Sequence, residues 1–354
     1  MMNSVSQLKV GIAGYGVVGK RRAEFIRLHP NLSLVAVCDL RFSSNEDLPV
    51  GLRVFSSYDL LLEENLDILF VCLPNYLAAE VTIAGLSRGI HVFCEKPPGR
   101  DLDDMARVIK VENQNSGTLL KYGFNHRYHH SVREALRLVD SGELGEVINL
   151  RGVYGKSKII SFESSWRTQR TQAGGGILLD QGIHMVDMMR LFAGEFVEVK
   201  SFISNQFWKH EVEDNAYALM KTSTGVVAML HSSATQWRHR FQLEITLSQG
   251  QIILDGILSG SKSYGAETLT VVYSEDDESG NPREETKSFD EDPSWKDEVF
   301  DFADSILLQK VVEGGTSSDA FKTMQLVYQI YCSDKDWRVR YGLSEAVSTK
   351  ELGS

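Results

Sequence analysis

The chain of 354 residues has only four cysteines, Cys38, Cys72, Cys94 and Cys332, and no CxxC pair. That spacing excludes a disulfide framework and a thiolate zinc site. Cys38, Cys72 and Cys94 fall at the ends of apolar runs, where a reduced thiol acts as a small hydrophobe, so a reducing cytoplasm is expected. Proline is also scarce, at 7 residues. No apolar run approaches the roughly 20 residues of a membrane-spanning helix. The amino-terminal residues carry Lys9 and pass straight into an apolar strand pattern, which leaves no room for a cleavable signal peptide. Positive charge is in deficit, with 37 Lys and Arg against 48 Asp and Glu and a net charge of −11. That sign excludes a protein built to lie on nucleic acid or on an anionic membrane.

What is present is the composition of a folded protein: 42% apolar and 24% charged residues, in a chain long enough for two domains. From Leu8 to about Tyr122, the apolar runs 8–13, 34–38, 67–73, 91–94 and 118–122 alternate with helical segments, Val17 to Leu28 and Leu77 to Arg88 among them. Continuous apolar strands separated by helices predict a doubly wound parallel α/β sheet of Rossmann type. After about Val147 the pattern changes to period-two alternation, which predicts an α+β half with a largely antiparallel sheet. One face of that sheet is wet; the other is covered by helices or a partner subunit. The acidic stretch from Glu275 to Asp292 reads as a solvated hairpin or loop, and Trp295 to Lys310 and Ser318 to Cys332 return to helical periodicity.

Gly14, Tyr15, Gly16, Val17, Val18 and Gly19 spell GxGxxG directly after the first strand and at the start of a helix. The first glycine makes the tight turn, the second lets backbone approach a pyrophosphate, and the third lets helix pack on strand. Tyr15 and Val18 therefore also border the cofactor. Asp39 follows Gly19 by 20 residues at the end of the next strand, where a carboxylate accepts from an adenosine ribose and repels a 2′-phosphate. NAD is expected over NADP. Leu40 and Arg41 continue that edge, and the Arg41 guanidinium leaves NADP, or stacking on adenine, open. Glu95 and Lys96 close the strand that starts at His91. Ligands of doubly wound sheets sit beyond the carboxyl ends of strands, so Lys96 is aimed at the nicotinamide. An ammonium there stabilises the alkoxide that forms as hydride leaves its carbon. These motifs make 1–125 the dinucleotide-binding domain and 126–354 the domain for substrate binding and oligomerisation.

A third group runs through Trp166, Arg167 and the three glycines 174–176 to Asp180 and His184. The glycines read as a flexible approach to a helix that ends near Gly194. Asp180 and His184 are four apart and share a helix face, where a carboxylate beside an imidazole forms a proton-handling pair. Spacing alone fits a surface pair equally well. Asp187 is expected to make structural contacts or face solvent.

Together these motifs, with Pro74-Asn75, the run Gly123-Phe124-Asn125-His126-Arg127 and Glu95-Lys96-Pro97, resemble the Gfo/Idh/MocA oxidoreductases in order and over most of the chain. The resemblance implies a nicotinamide-dependent enzyme acting on a secondary hydroxyl or ketone of a sugar, cyclitol or sugar nucleotide. It also implies an open-faced sheet in the second domain. It gives Lys96, Asp180 and His184 as the catalytic group, and places Asn125, Arg127, Trp166 and Arg167 beside cofactor or substrate. Pro74 and Asn75 fall along the cofactor. The family often has a histidine four residues after that proline; here the position is Ala78, read as altered packing with the chemistry kept.

The histidines His126, His129 and His130 do not complete a metal ligand set, and no metal is expected. Trp208, Trp237 and Phe241 read as the sheet face of a homo-dimer or tetramer. Tyr154, in the first strand of that sheet, is a candidate to reach the substrate or to be an ordinary half-buried strand residue. Lys156 and Lys158, with Arg127 and Arg167, leave free sugar and sugar nucleotide unseparated. Two rival functions stay open: a glycoside hydrolase that oxidises transiently through held NAD, and a non-catalytic sugar-sensing regulator.

Overall fold

The computed structural model describes residues 7–44, 49–159, 165–259, 264–274 and 280–345. By compactness the chain divides into two units. The first runs to Phe124 and takes in Trp295–Lys322; the second comprises Asn125–Ser294 and Thr323–Glu345.

In the first unit the alternating rhythm becomes β1 (Leu8–Ala13), α1 (Val17–Leu28), β2 (Leu32–Cys38), β3 (Arg53–Phe55), α2 (Tyr58–Leu61), β4 (Ile68–Val71), α3 (Asn75–Leu86), β5 (His91–Glu95), α4 (Leu102–Gln114) and β6 (Leu120–Gly123). All six strands pair in parallel in the order β3-β2-β1-β4-β5-β6, the doubly wound order whose reversal falls between β1 and β4. α4 shows how local chemistry sets an end: the Asp101 side chain accepts from the Asp104 backbone N–H, and Leu102, Met105, Ala106 and Val108 face inward. The sheet core gathers Val10, Ile12, Phe70 and Phe93. The helix Ser294–Leu307, from the far end of the chain, closes it with Val299, Phe302 and Ala303. Chain order alone assigns that helix to the second half. Its apolar stripe and the charged groups described below bring it to the first.

The second unit contains α5 (His130–Ser141), β7 (Val147–Ser157), α6 (Arg170–Ala173), α7 (Ile183–Ala193), β8 (Phe196–Ser204), β9 (Asn215–Thr222), β10 (Val227–Gln236), β11 (Arg240–Leu247), β12 (Gly250–Asp255), β13 (Glu267–Tyr273) and β14 (Glu284–Phe289). The chain then enters α8 (Ser294–Leu307), α9 (Ser317–Ser333) and α10 (Lys335–Tyr341). The eight strands lie in the order β14-β13-β12-β11-β7-β10-β9-β8, antiparallel at every pairing except β7 with β10. Within the stretch read as a solvated hairpin or loop, residues 275–279 lie outside the described residues, and Glu284–Phe289 forms the exposed edge strand β14. Alternation is clean: Ala216, Ala218 and Met220 of β9 face inward, while Tyr217, Leu219 and Lys221 face out. α7 lies so close to β7 that a Cβ at Gly152 would meet the Met189 methyl at 2.4 Å. No helix among the described residues is long and apolar enough to cross a membrane.

Candidate active site

The turn after β1 shows why its glycines are needed. Gly14 has φ +91°, and a Cβ there would sit 2.3 Å from the Cys72 carbonyl oxygen; a Cβ at Gly19 would sit 2.0 Å from the Gly14 carbonyl oxygen. Those two positions set the turn and the approach of α1 to β1. At Gly16 a Cβ would meet nothing within 4 Å, which leaves room for a ligand to approach the start of α1, where unpaired helix N–H groups suit a pyrophosphate. Asp39 accepts from the Tyr15 N–H at 3.0 Å. It also takes two hydrogen bonds from the Arg41 guanidinium, at 2.8 and 3.0 Å. Burial opposes ionisation of Asp39, but the Arg41 bonds outweigh it and hold the carboxyl below its ordinary range. Arg41 also donates to the Tyr15 carbonyl, so its guanidinium stays with its neighbours here. Leu40 is exposed, Pro74 caps the start of α3, and Asn75 is buried just inside that helix.

Lys96 is half-buried immediately past β5. Glu95, expected to border the cofactor, turns its carboxylate to Arg22, whose Nε donates to it at 2.6 Å. Arg22 is fully buried, donates from Nη2 to the equally buried Glu298 at 2.6 Å, and lies over the rings of Phe93 and Trp295. Nearby, buried Lys121 pairs with Asp301 at 2.8 Å. α8 therefore delivers two carboxylates to the first unit, and Arg22, held by one of them, also pairs with Glu95, the residue next to Lys96.

In the second unit the triple glycine serves close packing. A Cβ at Gly175 would lie 2.3 Å from the Tyr331 hydroxyl, and one at Gly176 would lie 2.1 Å from the Glu213 carbonyl oxygen. The buried Glu213 carboxylate accepts from the N–H groups of Gly176 and Leu178, at 2.8 and 3.0 Å, and from the Tyr331 hydroxyl at 2.6 Å. It caps the segment that carries the candidate site, and burial raises its carboxyl above the ordinary range. That segment begins as a π-helical turn, Leu178–Gly182, before α7, where a regular α-helix was expected. Such turns recur at functional sites. Asp180 lies on the π turn, and His184 lies at the start of α7 and is buried.

His184 is stacked on His126, with ring centroids 3.8 Å apart and planes at 15°. His126 was weighed in the sequence for metal binding and as part of the run 123–127, and was given no site role; here it joins three expected site residues, Asn125, Tyr154 and His184. Its Nδ1 lies 3.2 Å from Asn125 Oδ1 and its Nε2 lies 3.1 Å from the Tyr154 hydroxyl. Tyr154 is buried and packs against Tyr264, which in turn accepts from Gln181 Nε2 at 2.9 Å. Burial, helped by the Asp180 charge, lifts the Tyr154 phenol well above its ordinary value; burial likewise pushes Tyr264 up to about 12. Both therefore remain hydroxyl donors at neutral pH. Tyr264, Gln181 and His126 carried no sequence signal as a set, because β7, the π turn and the 3₁₀ turn Asn125–Tyr128 meet only in the fold.

Two other expected neighbours of substrate are engaged elsewhere. Arg127 makes a two-pronged pair with the buried Asp187 of α7, at 2.7 and 2.5 Å, so its guanidinium joins helix to turn. Arg167 is exposed and stacks on its neighbour Trp166 at 4.3 Å. Of the aromatics read as a sheet face, Trp237 is 73% exposed, but Phe241 is 1% exposed and packs in the core against Tyr154. Phe241 cannot take part in an interface, because period two sends it to the inner side of β11. Trp208 is held by a hydrogen bond from its Nε1 to the Ala234 carbonyl.

Residues 8–124 match the family model described as "Oxidoreductase family, NAD-binding Rossmann fold", and residues 132–253 match the "GFO/IDH/MocA C-terminal domain". D-glucoside 3-dehydrogenase of Escherichia coli is 31% identical over 257 residues, 64% of this chain and 70% of that protein. Myo-inositol 2-dehydrogenase of Thermotoga maritima is 26% identical over 261 residues, 71% of this chain and 76% of that protein. A structure titled as levoglucosan dehydrogenase in complex with NADH and levoglucosan superposes with a TM-score of 0.82 at 19% identity, covering 94% of this chain and 98% of that one.

Proposed function

Because this chain belongs to the Gfo/Idh/MocA oxidoreductases and carries their NAD-binding Rossmann domain, we propose that it interconverts a secondary hydroxyl and a ketone on a sugar or cyclitol. The observation that carries the reading is a complete dinucleotide turn, open above Gly16, in the same chain as Lys96 and a buried His184 next to the Asp180 turn. Relatives named as glucoside and inositol dehydrogenases support the substrate class. Gly14, Tyr15, Gly16, Val18 and Gly19 would hold the pyrophosphate, Asp39 the adenosine ribose, and Pro74 and Asn75 the path toward the nicotinamide. The bound cofactor supplies the hydride acceptor for oxidation and the donor for reduction. His184 takes the hydroxyl proton as the C–H hydride leaves, Lys96 donates to the developing oxyanion, and Asp180 orients them. Asn125 and Tyr154 set the polar wall of the second unit.

The test is a screen of sugars, cyclitols, anhydrosugars and sugar nucleotides that follows reduced-cofactor absorbance with NAD and NADP in parallel. At least one polyol should be oxidised, with NAD preferred by about tenfold or more in kcat/KM, because a ribose phosphate would meet the Asp39 carboxylate. Release of free sugar with no net change in reduced cofactor would replace this reading with transient oxidation.

We further infer that the outer face of the eight-stranded sheet packs on a second copy of the chain in a dimer or tetramer. Phe202 is 80% exposed and Leu219 54%, and both border a hollow of about 500 Å³ with Arg151, Lys200, Met229 and Arg240. The Arg151–Glu244 and Lys221–Glu198 pairs put both signs on the face, as a self-complementary contact requires. Sedimentation should give a dimer or larger, and Phe202→Glu combined with Leu219→Glu should give a folded monomer. A parent chain that sediments as a monomer removes the inference.

A further inference from the structure

A chain of hydrogen bonds that begins at Asp292 fixes which nitrogen of His126 carries its proton. The Ser294 hydroxyl lies 2.5 Å from Asp292 Oδ1 and must donate to it, because a carboxylate only accepts. Ser294 Oγ therefore accepts from Asn125 Nδ2 at 2.9 Å. That sets the amide orientation and turns Asn125 Oδ1 toward His126 Nδ1. Nδ1 must then hold the hydrogen, and the Nε2 lone pair accepts from the Tyr154 hydroxyl. The buried Tyr154 phenol keeps its proton.

Several groups face this ring. His184 lies flat against it, Tyr154 meets its Nε2, and His129 approaches edge-on at 5.5 Å, itself held by Glu267 at 2.8 Å with Asp292 3.9 Å from its other nitrogen. Phe241 covers a further side. A second proton on His126 would place a buried cation between two other imidazoles, so the ring is held neutral.

We propose that His126 is a positioning residue for His184: a neutral imidazole with a set tautomer, stacked face to face, that fixes the plane of the His184 ring and offers its protonated form a π surface. This rests on the reading of His184 as the proton acceptor. It explains why three polar residues and a carboxylate orient a ring that need touch no substrate. A flat neutral neighbour costs His184 nothing when uncharged and attracts it once it becomes an imidazolium.

The test separates a ring from a filler of similar size, using His126→Phe and His126→Leu in the full chain. Thermal unfolding and NADH titration serve as controls for folding and cofactor binding. His126→Leu should lower kcat by about 10- to 100-fold with KM little changed, and His126→Phe should restore most of it, because a misplaced proton acceptor loses rate without losing substrate binding. In the ¹H–¹³C spectrum of histidine-labelled protein, the His184 ring protons should lie upfield in the parent and the Phe variant and lose that ring-current shift in the Leu variant. Equal activity of the two variants, whether both high or both low, overturns the proposal, as does a His184 resonance that ignores the Leu substitution. If no polyol is turned over by the parent, the function reading fails, and the spectrum still decides whether His126 sets the ring.

Discussion

Lys96→Met should lower turnover of the best sugar or cyclitol substrate by about 10²- to 10³-fold while NADH binding stays within about twofold. The two side chains have similar length and fill similar space, so the change removes the ammonium and little else. Its backbone should hold its place, because the residue before it is tied through the Glu95 carboxylate to buried Arg22. An ammonium acts mainly on charge that appears as the C–H bond breaks. The loss should therefore fall on kcat, and a deuterium label on the reacting carbon should show a full isotope effect in the variant. Turnover at the parent rate would remove Lys96 from the chemistry.

Arg22→Met should destabilise the first unit by about 3–5 kcal/mol, the usual result of taking one partner from a buried ion pair and leaving the other charged. Two carboxylates, Glu95 and Glu298, would lose their shared cation, and the Phe93 and Trp295 rings would lose the guanidinium between them. Urea unfolding followed by tryptophan fluorescence measures this, and a loss under about 1 kcal/mol would show the pair to be dispensable. The same site predicts a pH dependence. Burial pushes Glu298 up to about 7 from an ordinary 4.5, against the pull of Arg22. The folded chain thus binds that proton more tightly than the unfolded one. The resulting stability is full below about 4.5 and is lost as pH rises through 7. Glu298→Gln should flatten that slope.

Periodicity made most of the fold legible. α1 takes the bounds its amphipathic pattern predicts, five of the six parallel strands coincide with apolar runs, and the change to period two marks the open sheet. β3 was missed because three residues are too few to show a period. The candidate site was legible where a motif is local. GxGxxG works through backbone within one turn, and the spacing of Asp180 and His184 lies within one helical segment. Charge destinations were not legible. Nothing near Arg127 in sequence shows that Asp187 will claim it, and nothing near Glu95 points to Arg22. Glycine gave a mixed signal: the triple glycine reads as flexibility, yet it exists so that Glu213 and Tyr331 can press against backbone. The same long-range blindness hid the setting of His126, whose ring meets Tyr154 from a strand and His184 from a helix, while its neighbour Asn125 is held from the start of α8.

The helix Ser294–Leu307 has a consequence for synthesis on the ribosome. Val299, Phe302 and Ala303 complete the core of the first sheet, and Glu298 supplies the second carboxylate to Arg22, yet all four are translated about 175 to 180 residues after β6 ends at Gly123. The nascent amino-terminal half must therefore wait, with an unsealed apolar surface and with Glu95 as the only one of Arg22's two carboxylate partners yet made, while the whole eight-stranded sheet is made. A polypeptide stopped at Phe124 would carry the cofactor motif without the means to hold its shape, so this half is a domain in space and not a segment in sequence.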